Sequence, residues 1–289
     1  MYAAAFDYVR ATSWDDAVSA LVQAGEDARV IAGGQSLVPM MALGIAQPSA
    51  LIDIGPVERP QIERRNGTLV LSALTRHVDL EQSAEVAAEC PMLAQAARLI
   101  GNVRVRHRGT IGGSLAHAEP TAELPCVAIA HRATVRARGP ESERSIPADE
   151  LFVTHFTTTL TPGEIITNVE LPALRDRQGS CFLELARRPG DFAMVNVAAL
   201  VTLDESARLH EARVVVGATG DRPADHSASA GHFVGEPVDE RTAAELGRRV
   251  AEEAEIGPSS HATAEYRREM VAVLVKRALI AAAAEVAGT

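Results

Sequence analysis

Apolar positions change their period along this chain, and the changes divide it into elements. Residues 6–10 read as a short strand. In the next segment Ala17, Val18, Leu21 and Val22 share one face at helical spacing. Thr12 or Ser13 caps that helix, Asp15 and Asp16 make its first turn acidic, and Gly25 ends it. Residues 29–32 form a buried strand running into Gly33-Gly34. Strand, helix, strand and glycine turn predict a small βαβ unit with its turn at a strand's C-terminal end. Leu37, Met40 and Met41 follow at helical spacing and pack that turn onto the core.

Residues 49–54 are another strand, closed by Gly55-Pro56, and Asn66-Gly67 is a hairpin turn feeding a strand at 68–71. Thr75 to His77 opens a helix. Residues 91–100 form a helix with Pro91 in its first turn and Gly101-Asn102 at its stop. Val103-Arg104-Val105-Arg106-His107-Arg108 alternates, which predicts a strand with three arginines on one side. Those arginines face a phosphate or an acidic partner, or simply water at a sheet edge. A helix at 122–131, a strand at 134–138, a polar turn at 139–144 and a strand at 165–171 complete this half.

Residues 175–179 are charged and lack apolar side chains, and the domain boundary is placed there, between 176 and 177. Beyond it, residues 181–185, 193–203 and 211–217 read as an antiparallel meander. Helices near 240–255 and 263–284 close the chain. The last carries Met270, Val271, Leu274, Val275, Ala278 and Leu279 on one stripe.

Composition narrows the function classes. A chain of 289 residues can bury two domains, and its 47% apolar and 23% charged residues are ordinary for a soluble protein. The net charge of −10 argues against nucleic-acid binding, which needs a basic face. Cys90, Cys126 and Cys181 are far apart, so no zinc or iron–sulfur spacing is present. No signal peptide and no membrane span are legible, so the expected location is cytoplasmic.

The candidate chemistry lies in two loops. Ala32-Gly33-Gly34-Gln35-Ser36-Leu37 and Gly109-Thr110-Ile111-Gly112-Gly113-Ser114 each put a glycine pair and a small hydroxyl residue beside an apolar run. Glycines let backbone approach a ligand, and successive N–H groups in such turns bind anions. Two such loops can hold a pyrophosphate from two sides, although surface turns use the same residues. His117 is near enough to the second loop to touch a ligand; as a lone histidine it is more commonly structural. Glu123 can accept hydroxyls of a ribose or ribityl chain, or serve as a helix-start carboxylate. No nucleophile–base pair is readable, so the reactive atoms belong to a ligand and no catalytic residue is assigned.

These loops resemble the two FAD-binding loops of the molybdenum hydroxylases, closest to the medium, flavin-binding subunit of carbon monoxide dehydrogenase-type enzymes. The likeness continues through Leu115-Ala116-His117-Ala118-Glu119-Pro120-Thr121-Ala122-Glu123-Leu124-Pro125 and Pro162-Gly163-Glu164-Ile165-Ile166. It resumes at Ala186-Arg187-Arg188-Pro189-Gly190-Asp191-Phe192-Ala193 and Ala264-Glu265-Tyr266-Arg267-Arg268. The resemblance implies an α+β fold. Residues 1–176 would be an FAD-binding domain of the vanillyl-alcohol-oxidase-like (PCMH) type, with α/β subdomains at about 1–56 and 57–176. Residues 177–289 would carry a three-stranded antiparallel sheet and helices. It implies that Ala32–Leu37 and Thr110–Ser114 wrap the pyrophosphate of non-covalent FAD, that Glu123 lies near the cofactor, and that Ile166 and Leu183 approach the flavin. Gln35 and Phe182-Leu183 depart from residues found in relatives.

The resemblance further implies that [2Fe–2S] clusters and molybdopterin belong to a small and a large partner subunit, in a dimer of heterotrimers. This chain would take electrons from the nearest cluster into FAD and pass them to an external acceptor. Two other readings are a self-sufficient flavin oxidase, which would need a residue such as His77 or His117 to link its flavin, and a nucleotide-binding module without turnover.

Overall fold

The computed structural model describes residues 4–287 of the chain. The first sheet is parallel, in the order Asp7–Arg10, Ala50–Asp53, Arg29–Ile31. The expected βαβ connectivity is present, but its two strands do not pair with each other. Ala50–Asp53 inserts between them, and its Ile52 is fully buried, so the most apolar strand takes the central position. The helix Trp14–Ala24 crosses over, started by Ser13, whose Oγ accepts the N–H of Asp16 at 3.1 Å.

The second sheet has five strands, all antiparallel: Ile62–Arg65, Thr68–Ser72, Ile165–Pro172, Thr134–Arg138 and Glu143–Pro147. The last corrects the polar-turn reading of 139–144. The turn is shorter, closed by Gly139 N–H to Ser142 O at 2.9 Å, and an edge strand follows. Only Ile146 is buried there and Arg144 half-buried, and such polar edge strands carry a weak alternation. Helices His77–Gln82, Ala84–Glu89, Pro91–Leu99, Ile111–His117 and Glu123–Ala130 supply the rest of this core; Met92, Leu93, Leu115, Leu124 and Val127 pack with Leu69, Leu71, Val135 and Val169.

Residues 103–108 are not a strand. Asn102 Oδ1 accepts the N–H groups of Arg104 at 2.9 Å and Val105 at 3.3 Å, which starts a single helical turn, Val103–Arg106. The three arginines therefore do not share a side. Arg106 turns back to Glu81 at 2.7 Å and to the Ile100 carbonyl at 3.1 Å, while Arg104 and Arg108 stay exposed.

The third sheet is antiparallel: Gln178–Ala186, Ala193–Leu203, Leu209–Gly217 and a two-residue fourth strand, Ala224–Asp225, beyond the three expected. Its central strand works in two cores. Val195, Val197, Ala199 and Val201 pack on the helices Glu240–Glu253 and Ala264–Ala287. Ala198 and Leu200 point the other way and join Phe182 and Val215 in the core of the preceding sheet. A strand buried on both faces reads as a continuous apolar run, which is how 193–203 looks in the sequence. Among the described residues no helix is long and apolar enough to cross a membrane, and no group of His, Cys, Asp and Glu side chains could hold a metal.

Candidate functional site: two glycine loops in contact

The turn after Arg29–Ile31 and the turn before Ile111–His117, remote in sequence, touch through their backbones. Gly33 is buried against Arg108 and Gly109: a Cβ there would lie 2.2 Å from Arg108 O and 2.9 Å from Gly109 Cα. Gly34 has φ +71°, the left-handed conformation glycine adopts without strain. Its carbonyl accepts the N–H of Val38 at 3.0 Å, and Gln35 Nε2 donates to Gly33 O at 3.2 Å, which turns the chain into the helix Leu37–Ala42. Ser36 starts that helix without a side-chain cap. Ala32, half-buried, packs against the small core of the first sheet.

The second loop is held from below. Ile111 N–H donates to Thr75 O at 3.0 Å and Gly112 N–H to Ala73 O at 2.9 Å. Gly112 sits so close that a Cβ would come within 2.5 Å of Ala73 Cβ. Thr110 caps the following helix, its Oγ1 accepting Gly113 N–H at 3.2 Å and its carbonyl accepting Ser114 N–H at 3.0 Å. Among the described residues no hydrogen bond takes up the N–H of Gly33, Gly34, Gln35, Ser36 or Thr110. Backbone donors at a loop junction, with the side chains that would cover them absent, fit an anionic group such as the diphosphate of FAD.

Two arginines not singled out as a pair in the sequence complete this junction. Arg76 Nη1 donates to Arg108 O, the carbonyl facing Gly33. The Arg76 guanidinium is held below its usual value first by burial and then by the Arg108 charge, with Asp79 and Asp53 opposing. Spacing could not have revealed this, because 32 residues separate the two. His77 lies under the same loop, its ring against Gly109, and burial lowers it to about 4.

The segment leaving the second loop runs to the third sheet. His117 is half-buried, its ring centroid 5.1 Å from that of Phe156, and burial lowers its pKa. Ala218 N–H donates to Pro120 O at 3.0 Å, and the Asn196 amide donates to Thr121 O at 3.4 Å. Glu123 follows, pushed up to about 8 by burial and then by the charge of Glu184. Glu184 is itself pushed up to about 7 by burial. Ile166 is buried in the core with Ile111 and Leu115. Strand alternation turns Leu183 toward the C-terminal helices and Glu184 to the opposite side. Leu183 is thus not brought to the glycine loops, and Glu184 is the residue of that strand whose charge reaches Glu123.

The sign of the resulting pH effect follows from linkage. Unfolded, both carboxyls ionise near 4.5; folded, they keep their protons to about 7 and 8. Between those values the folded state binds more protons, so stability falls as pH rises through the window and is unaffected below it. The Glu184→Gln chain is therefore expected to melt above wild type at pH 8 and level with it at about pH 4.5. Calorimetric melts across that range check this, and a lower melting point for the variant at pH 8 would contradict it.

Residues 4–174 match the family model described as FAD binding domain in molybdopterin dehydrogenase, and residues 180–282 match the CO dehydrogenase flavoprotein C-terminal domain. The chain is 38% identical over 275 residues to the 6-hydroxypseudooxynicotine dehydrogenase complex subunit alpha of Paenarthrobacter nicotinovorans, covering 95% of this chain and 93% of that one. It is 35% identical to the carbon monoxide dehydrogenase medium chain of Hydrogenophaga pseudoflava, over 96% of both. Its fold superposes with a TM-score of 0.94 on a chain of quinoline 2-oxidoreductase from Pseudomonas putida 86, at 32% identity and 99% coverage of each. With both halves matched in order along nearly all of the chain, it belongs to the medium, FAD-binding subunits of the molybdenum hydroxylase family.

Proposed function

We propose that Ala32–Leu37 and Thr110–Ser114 hold the diphosphate of a non-covalently bound FAD, and that the chain works as the electron-transfer subunit of a dimer of heterotrimers in the cytoplasm. The observation that supports this most is the backbone contact of Gly33 with Arg108 and Gly109, beside N–H groups that no acceptor among the described residues takes. When bound, FAD supplies the redox chemistry of its isoalloxazine ring. The chain's residues bind and orient. The loop N–H groups receive phosphate oxygens, Glu123 offers a carboxyl to the hydroxyl-bearing part of the cofactor, and His117 lines the same path. Electrons from [2Fe–2S] clusters on a small subunit leave through this subunit to an external acceptor, while molybdopterin chemistry belongs to a large subunit.

The test is co-expression with candidate iron–sulfur and molybdopterin subunits, followed by sizing and acid precipitation. A yellow complex of all three chains, whose flavin stays in the supernatant after precipitation, is expected. Flavin retained in the pellet would instead favour a self-sufficient oxidase with a linked cofactor. A colourless chain that binds no FAD would favour a nucleotide-binding module.

A further inference from the structure

We propose that Arg76, with Arg108 beside it, is the counter-charge of the cofactor's diphosphate as well as a tie that holds the start of the second glycine loop at the junction; the inference rests on reading those loops as the FAD site. The backbone of Arg76 is fixed where the helix His77–Gln82 begins: its N–H donates to Asp79 Oδ2 at 3.3 Å, and it bridges to Thr110. From there its guanidinium reaches the loop junction and donates to Arg108 O, the atom that excludes any side chain at Gly33.

One donated bond to a neutral carbonyl leaves a guanidinium's charge unmatched, and the Arg108 side chain adds a second positive charge nearby. Among the described residues neither arginine forms an ion pair with a carboxylate. The acids whose charges do reach Arg76 are committed elsewhere. Asp53 accepts from the Tyr8 hydroxyl and, at 2.9 Å, from Gly55 N–H, and Asp79 accepts from the Arg76 backbone. Two like charges held together in a chain of net charge −10 mark a place built for an anion. A diphosphate offers the charge and the paired oxygens that a planar guanidinium fork receives. A carboxylate on a partner protein would also offer paired oxygens, but only a single negative charge for two arginines.

The experiment is titration of the full-length, flavin-free chain with FAD, ADP and riboflavin, following flavin fluorescence or heat, for wild type, Arg76→Ala, Arg76→Lys and Arg108→Ala. FAD and ADP carry the diphosphate and riboflavin does not. Arg76→Ala is expected to weaken FAD and ADP by about tenfold or more and leave riboflavin unchanged. Arg76→Lys should recover part of that loss. Arg108→Ala keeps the tie, because the carbonyl is backbone, and should still weaken both diphosphate ligands. Equal weakening of all three ligands by Arg76→Ala, with Arg108→Ala neutral, would leave only the tie and overturn the counter-charge. A wild-type chain that binds FAD and ADP, with every variant equal to it, would overturn the proposal alone. A wild-type chain that binds neither would overturn the site reading and this assignment with it.

Discussion

The Gly33→Ala chain is expected to fold and to lose FAD affinity by about a hundredfold, or roughly 2.7 kcal/mol. The added methyl would lie 2.2 Å from Arg108 O and 2.8 Å from Arg108 C, and both are backbone atoms that cannot rotate aside. One loop must back away from the other, and a diphosphate spanning both then keeps the donors of only one. The rest of the molecule is spared, because residues 33–36 contribute no side chain to the hydrophobic cores on either side. Titration with FAD, alongside far-ultraviolet circular dichroism, checks both halves of the expectation. Wild-type affinity in a folded variant would mean that the loop contact does not serve the cofactor.

The second expectation concerns Arg267, from the Ala264-Glu265-Tyr266-Arg267-Arg268 motif. Its side chain is only 4% exposed, and among the described residues it forms no ion pair with a carboxylate. Instead Nε donates to Met194 O at 3.0 Å, and the two terminal nitrogens donate to Gly257 O and Ala218 O. Arg267→Met removes the donors and strands three carbonyls away from water. At about 1 kcal/mol or more for each, the loss is about 3 kcal/mol. That corresponds to a fall in melting temperature of about 6–12 °C. Ala218 also donates to Pro120 O, just ahead of Glu123, so the variant should hold FAD less tightly as well. Differential scanning calorimetry with and without FAD reads both effects, and an unchanged melting point would show that the three carbonyls find water.

How much of this was legible beforehand depended on how local the cause was. The helix start at Thr12 or Ser13 and the hairpin at Asn66-Gly67 are set by neighbours within a few residues and read directly from the sequence, whereas the Thr110 cap is seen only in the structure. The glycine loops were visible for the same reason. Residues 103–108 misled because their alternation is a strand's pattern, whereas one side chain, that of Asn102, starts a helical turn there. The arginine pair at the loop junction depends on contacts 32 residues apart. The Glu123–Glu184 pair depends on which way one strand's alternation falls in the assembled sheet, and an apolar run such as 181–183 does not fix that parity. The element types were thus written largely in periodicity, the fold class in the family resemblance, and the electrostatics of the site in tertiary contacts.

The central strand Ala193–Leu203 gives one side chain in two to each of two cores. Anyone assembling hybrid hydroxylases by exchanging segments should therefore move the chain whole. A cut near residue 177 would wet Phe182, Ala198, Leu200 and Val215 on one fragment and their partners on the other, and both would tend to stick to whatever apolar surface is nearby.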